Sequence, residues 1–343
     1  MKIDKALLLF WDITNRCNLD CEFCMWSWDY SYKYHEVPRD EKEYILNEII
    51  ANKPLKVVFP GGEPLLVQRI FDYITRLKKA DIFVEMTTNG TLLNEYTVSK
   101  LKEAGIDKIQ VSIHSSSEEL NDDIMRGKAY NNILTGMDLL NKYKIRFKTK
   151  TTVTSKNIDD LGDLMILLEG SGAEQINFSE YIPMGAAYIN DDELKIPMNK
   201  LRFWKDKLNR EFGNAVNFDS LTLDAYEIGH PRKCSIGDEN SYLAQILWDG
   251  TVVQCALMSV FEIDNNIFKY GLKQCWNNFS KFQHFNLPLS QMSGCKECNY
   301  IDECNGGCKG LAFVKFNSVD MPDPRCEIIH NNKIKKEKVR NNE

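Results

Sequence analysis

Six short β-rich runs alternate with amphipathic helical stretches through the first 185 residues, and this alternation restricts the fold more than any other property of the chain. The runs are 6–14 (ALLLFWDIT), 56–59 (KVVF), 82–88 (IFVEMTT), 108–114 (KIQVSIH), 146–154 (RFKTKTTVT) and 175–182 (QINFSEYI). Helical periodicity fills the intervals at 92–104, 132–143 and 159–170. In the first of these, Leu93, Tyr96, Val98 and Leu101 mark an apolar face, and Gly105 is a stop signal. Strands separated by helices run parallel with right-handed crossovers, so an α/β sheet or partial barrel is expected. Ligands of such sheets sit at the carboxyl ends of the strands. Cys17, Gly61, Thr88 and His114 lie at or just after strand ends and are expected to share one mouth.

Past residue 183 the pattern weakens. One helix is expected over 201–212. Beyond His230 the chain passes into cysteine-bearing loops and a hairpin-like segment, 242–255, with an Asp249-Gly250 turn. A region that cannot build its own core is often held together by metal. The expected organisation is a barrel over 1–229, a cysteine-rich domain over 230–330, and a basic, disordered tail over 331–343.

Ten of the eleven cysteines fall into two groups, Cys17 to Cys24 and Cys234 to Cys326. The apolar run 6–11 is too short for a signal peptide or a membrane span, so a cytoplasmic chain with reduced thiols is expected. Clustered cysteines there read as metal ligands rather than disulfides. A net charge of −6 argues against nucleic acid or an acidic membrane as the main partner. Cys17, Cys21 and Cys24 have gaps of three and two residues. Three thiolates leave one iron of a cubane without a protein ligand, or leave a zinc ion an open position that His35 is available to fill. Spacing alone leaves both open.

Context narrows the choice. CxxxCxxC after the first strand, with Phe23 just before its last cysteine, and the GGEP run (Gly61, Gly62, Glu63, Pro64) after the second resemble the radical S-adenosylmethionine (SAM) superfamily. The resemblance implies a partial (βα)6 barrel and a [4Fe–4S] cluster whose free iron chelates the amino and carboxylate groups of SAM. It further implies that GGEP holds the methionine amino group and that Phe23 lies near the adenine. Thr88, Asn89, Gly90 and Ser112 would meet the ribose and methionine portions, and Arg126 the carboxylate. Two glycines also have a physical use of their own, since they let backbone approach a ligand closely.

The later cysteines read C-x15-G-x4-C from Cys234 through Gly250 to Cys255, then C-x2-C-x5-C-x3-C-x17-C from Cys295 to Cys326. This array resembles the SPASM extension of radical SAM enzymes. By that resemblance Cys295, Cys298, Cys304 and Cys326 hold an outer auxiliary cluster, and Cys234, Cys255 and Cys308 an inner one that is one ligand short. Taken alone, four of these thiols could equally close a structural zinc site. Cys275 is the one cysteine left over. It reads as the missing ligand, as a packed position with Leu272, Trp276 and Phe279, or as a thiol hydrogen donor.

The implied reaction is reductive cleavage of SAM to a 5′-deoxyadenosyl radical that abstracts hydrogen from a substrate, with a flavodoxin- or ferredoxin-type protein as electron donor. Glu180 and Tyr181, at the end of the sixth strand, are expected to face substrate and handle protons. The aromatic stretch 26–36 is expected to line the mouth or to pack over it. Family members that modify ribosomally made peptides give the leading substrate expectation, with small metabolites such as aminoglycosides second. Sulfatase maturation is disfavoured because Ala256 stands where those enzymes carry aspartate. No leader-binding domain is expected ahead of a strand that begins at residue 6, so a separate leader-binding protein is an expected partner of a peptide-modifying enzyme. A non-catalytic iron–sulfur electron carrier or a zinc-stabilised interaction module would need the thiols but not GGEP.

Overall fold

The computed structural model describes residues 3–27, 37–228, 230–234, 241–285, 292–293, 295 and 298–326. The expected tail, residue 229, His35 and most of the aromatic stretch lie outside them. All six expected strands form: β1 (Leu8–Trp11), β2 (Lys56–Phe59), β3 (Phe83–Thr88), β4 (Lys108–Ser112), β5 (Phe147–Val153) and β6 (Ile176–Glu180). Three more join them, β7 (Val216–Asp219), β8 (Leu243–Ile246) and β9 (Val252–Val253), in the order β7-β6-β5-β4-β3-β2-β1-β8-β9. Every neighbouring pair is parallel except β8 and β9.

The helices of the crossovers are α1 (Arg39–Asn52), α2 (Ile70–Lys79), α3 (Glu95–Ala104), α4 (Glu118–Met125), α5 (Tyr130–Lys142) and α6 (Leu161–Glu169). Their boundaries follow local chemistry. The Asn94 side chain accepts from Thr97 N at the start of α3, and Gly105, at φ +83°, ends it. Two short helices, α7 (Ala186–Ile189) and α8 (Asp191–Leu194), follow β6, and α9 (Met198–Phe212) and α10 (Leu221–Ile228) flank β7. The C-terminal part adds α11 (Ile267–Asn278), α12 (Ile301–Cys304) and α13 (Lys309–Phe316). Among the described residues no helix is long and apolar enough to cross a membrane.

The hairpin-like segment does form a turn, with Gly250 at φ +83° and Thr251 N donating to Asp249 Oδ1 at 2.9 Å. Its first strand nevertheless pairs in parallel with β1, Leu8 opposite Leu243 and Trp11 opposite Ile246. The sheet therefore continues on the far side of residue 229. The main core does likewise, since Ile267, Leu272 and Trp276 of α11 pack into the same cluster as Leu9, Ile45 and Val57. Residues after 292 share little of that core. Leu311 packs instead with Met184 and Leu257 in a small separate cluster.

Candidate active site

Cys17, Cys21 and Cys24 lie on the loop after β1, and this loop is clamped by the backbone of two other segments. Gly62 N donates to Thr14 O at 2.9 Å, Glu63 N to Arg16 O at 2.7 Å, and Ala186 N to Cys24 O at 2.9 Å. The contact surfaces are glycines. A Cβ on Gly62 would stand 2.0 Å from Arg16 O, one on Gly61 2.6 Å from Thr14 O, and one on Gly185 2.5 Å from Met25 O. The paired glycines thus meet a physical need the sequence reading missed: close approach of the chain to its own cysteine loop.

Glu63 has a different place from the one expected. It is fully buried, and its carboxylate accepts from Thr88 Oγ1 at 2.9 and 3.0 Å, Asn89 N at 2.8 Å and Leu65 N at 3.1 Å. Burial pushes its pKa up to about 7 against the pull of those hydrogen bonds. Neither Glu63 nor Pro64 lines the cleft described next. Glu63 works from behind the wall, fixing the end of β3 so that Asn89 Nδ2 reaches Asn18 Oδ1 at 2.8 Å and Cys17 Sγ at 3.6 Å.

A cleft of about 690 Å³ opens at the carboxyl ends of the strands, as the alternation predicted. The three thiols share its wall with Gly61, Gly62, Thr88, Asn89, Ser112 and Arg126. Arg126 caps α4 in the left-handed region (φ +50°), with its guanidinium 4.0 Å from Asp20. Phe23 packs on His114, ring centroids 4.6 Å apart. His114 Nδ1 accepts from Thr152 N at 3.1 Å, and burial holds its pKa down to about 3. The ring is therefore neutral, with its proton on Nε2.

Glu180 and Tyr181 reach the cleft with their polar ends engaged. Glu180 Oε2 accepts from Ser220 Oγ at 2.7 Å and Thr222 N at 3.2 Å. Tyr181 donates its hydroxyl to Asp191 Oδ1 at 2.7 Å, and burial together with that carboxylate raises its pKa well above the ordinary phenol. The tyrosine stays protonated and anchors α8, so proton handling is not the role its geometry favours.

The C-terminal thiols form two groups. Cys295, Cys298, Cys304 and Cys326 line one enclosed cavity beside His230. Burial pushes Cys295 up to about 11, and the other three thiols add to the rise. Cys255 and Cys308 are raised by burial, Cys308 to about 12, and Cys234 acts electrostatically on both. Among the described residues no three His, Cys, Asp or Glu side chains converge to hold a single metal ion. The four thiols of the first group surround one small cavity.

Residues 11–168 match the family model described as the radical SAM superfamily. These residues are a radical SAM domain. Such a domain implies SAM and a [4Fe–4S] cluster, and the donor set fits them: three thiols lining one cleft, beside the backbone of Gly61 and Gly62. The chain is 24% identical over 341 residues to the AdoMet-dependent heme synthase of Methanosarcina barkeri, spanning 93% of this chain and 95% of that protein. A heme synthase of Oleidesulfovibrio alaskensis is 23% identical over 93% of this chain and 86% of its own. The fold is that of Streptococcus suis SuiB bound to S-adenosylmethionine (TM-score 0.74, 19% identity, 94% of this chain and 77% of that one). It is also that of anSMEcpe with bound AdoMet (TM-score 0.67, 20% identity, 94% of each chain). The chain is a radical SAM enzyme whose barrel is followed by a cysteine-rich C-terminal part.

Among the lining residues of this cleft that the sequence reading did not name as site residues are His114, assigned only to the mouth, Lys150, Thr152, Ser179 and Trp248. Lys150 was legible as the outward partner in the alternating run KTKTT, whereas Trp248 lay in a segment assigned elsewhere. Cys275 stands apart from the other thiols. It is fully buried on α11 within the main core, and Glu48 of α1 is its charged neighbour. That environment favours packing. Cys275→Ala is expected to leave the iron content unchanged and to cost about 1–2 kcal/mol of stability through the small cavity. Iron quantification and thermal unfolding check this, and loss of about four irons, one cubane, would restore the ligand reading.

Proposed function

We propose that this enzyme holds three iron–sulfur clusters, reductively cleaves SAM and removes a hydrogen atom from a substrate seated in the cleft. The supporting observation is the single wall shared by Cys17, Cys21, Cys24, Gly61, Asn89 and Ser112. The three N-terminal cysteines hold the SAM-binding cluster; Cys295, Cys298, Cys304 and Cys326 hold one auxiliary cluster, and Cys234, Cys255 and Cys308 the other. When bound, the first cluster supplies the electron that splits SAM, and the resulting 5′-deoxyadenosyl radical attacks the substrate. The chain itself binds and orients. Gly61 and Gly62 offer backbone to the methionine amino group, Asn89 and Ser112 the polar contacts, and Arg126 a cation for the carboxylate. Phe23, packed at a tilt against a neutral His114, gives the adenine an apolar seat and keeps water out.

The substrate reading is a ribosomally made peptide, supported by the likeness in fold to SuiB and anSMEcpe, which have both been seen with peptides. A tetrapyrrole is the second reading, favoured by the end-to-end match to proteins named heme synthases. A flavodoxin or ferredoxin in the cytoplasm fits as electron donor.

Anaerobic reconstitution tests the core of the proposal. About twelve irons per chain are expected, four for each cubane, with 5′-deoxyadenosine released under dithionite and none from a variant with Cys17, Cys21 and Cys24 replaced by alanine. Zinc without iron, or intact clusters without 5′-deoxyadenosine, would sink it. Incubation with a candidate precursor peptide and with an iron porphyrin, each read by mass spectrometry, separates the two substrate classes.

A further inference from the structure

Of the two cations that line the cleft, Arg126 and Lys150, the reaction outlined above leaves Lys150 without a task. It stands on β5 opposite Ser112 of β4, half-buried, with Thr152 two residues further along the same face. The neighbouring lysines of the sheet all have counter-ions. Lys56 and Lys148 close on Glu85 at 2.6 and 2.8 Å, and Lys108 closes on Glu174 at 2.9 Å. Lys150 donates to the Ser179 hydroxyl, and among the described residues no carboxylate stands within ion-pair distance of it. The adjacent acid, Glu180, is taken by Ser220 and Thr222. Asp219 acts on Lys150 only at longer range, and burial lowers the lysine pKa despite it. An ammonium withdrawn from water without an anion is costly, and an open cleft is where an anion can come to it.

The cleft is also divided. Residues matched to SAM contacts come from the β2–β4 side, Gly61, Gly62, Thr88, Asn89 and Ser112, with Arg126 following α4. Lys150, Thr152 and Ser179 come from β5 and β6, and the apolar faces of Tyr181, Ile182 and Trp248 adjoin them. We propose that Lys150, with Ser179, forms an anion subsite in the β5–β6 half of the cleft that binds a carboxylate of the substrate. The inference rests on the reading of the cleft as a joint SAM and substrate site. The substrate it selects is an apolar body carrying a carboxylate. Two sources share that chemistry, an acidic peptide side chain and a tetrapyrrole propionate.

Binding to the reconstituted holoenzyme tests the subsite without turnover, so its failure and a failure of SAM cleavage are separately visible. One arm compares heme (iron protoporphyrin IX) with heme dimethyl ester by absorbance titration. The other compares pooled glutamate-containing pentapeptides with their glutamine counterparts. In one arm the acid form is expected to bind about tenfold tighter or more, the worth of a charge-assisted contact. Lys150→Met is expected to erase that preference while retaining SAM affinity, and Lys150→Arg to keep it. The arm that responds names the source of the carboxylate. No acid preference in either arm, a preference that survives Lys150→Met, or a loss of SAM affinity in that variant would each overturn the proposal.

Discussion

Gly62→Ala is expected to abolish SAM cleavage and to strip the N-terminal cluster while leaving the auxiliary iron in place. The added Cβ would stand 2.0 Å from Arg16 O and 2.5 Å from Arg16 C, backbone atoms that no rotamer change can move aside. Relief requires separating the two segments, which breaks the bonds from Gly62 N to Thr14 O and from Glu63 N to Arg16 O. Cys17 is the next residue along, so its thiol moves with them. A misplacement of about 1 Å at a reacting centre costs about a hundredfold in rate, and loss of a cluster ligand costs the whole activity. Expected readings are about eight irons per chain in place of twelve, the content of two cubanes, with 5′-deoxyadenosine at background. Gly105→Ala serves as the control. It places alanine at positive φ (+83°), a backbone strain that Gly62 does not share, yet its Cβ meets only the Lys78 side chain at 3.5 Å. It should cost about 1 kcal/mol and leave iron and rate alone. A Gly62→Ala enzyme with full iron and wild-type rate would show that the glycine serves no such clamp.

What could be read from the chain, and what could not, divides along physical lines. Strands β1 to β6 were legible because each is a short run of β-branched and aromatic residues bounded by turn signals, and parallel pairing then placed their carboxyl ends together. The pairing of β8 with β1 was not, since Leu243 and Leu8 are brought together by nothing local. The Asp249-Gly250 signal pointed correctly to a turn but said nothing about the sheet its first strand would join. Grouping of the C-terminal thiols was implied by the SPASM resemblance and not by spacing, since Cys308 lies nearer in sequence to Cys304 than to Cys255. Glu63 shows the opposite case. Its position beside the cysteine loop was legible, but the direction of a side chain depends on its partners, and Thr88 and Asn89 turn this one inward. Lys150 needed the same knowledge in reverse, the absence of a neighbouring acid among the described residues.

Lys309→Met is expected to change the stability of the metal-free protein and the potential of its auxiliary clusters in opposite senses. Lys309 is fully buried at the start of α13, its Nζ donating to Asn305 O at 2.9 Å and lying 3.1 Å from Met292 Sδ. Gly306 makes the space, since a Cβ there would stand 2.8 Å from Nζ and 2.1 Å from Met292 Cε. Burial lowers the lysine pKa, while Cys234, Cys308, Cys295 and Cys304, two from each thiol group, act to raise it. In the metal-free protein burial holds Cys295, Cys304 and Cys308 protonated, so the ammonium gains no thiolate partner from them. Replacing it by an apolar side chain of similar length then relieves about 2 kcal/mol of desolvation cost, and the melting temperature rises. On the proposal that both groups carry clusters, the loaded sites are anionic and the same charge stabilises them, above all after reduction. At a separation of ~7 Å and an effective dielectric of ~20, that attraction is ~2 kcal/mol, on the order of 100 mV for one electron. Potentiometric EPR titration should therefore show the auxiliary midpoints of Lys309→Met shifted negative by about that amount, with those of Lys309→Arg close to wild type. A buried lysine that only fills space would stabilise or destabilise both forms alike and leave the midpoints where they were. The crossing of the two effects ties this residue to the charge of both C-terminal sites.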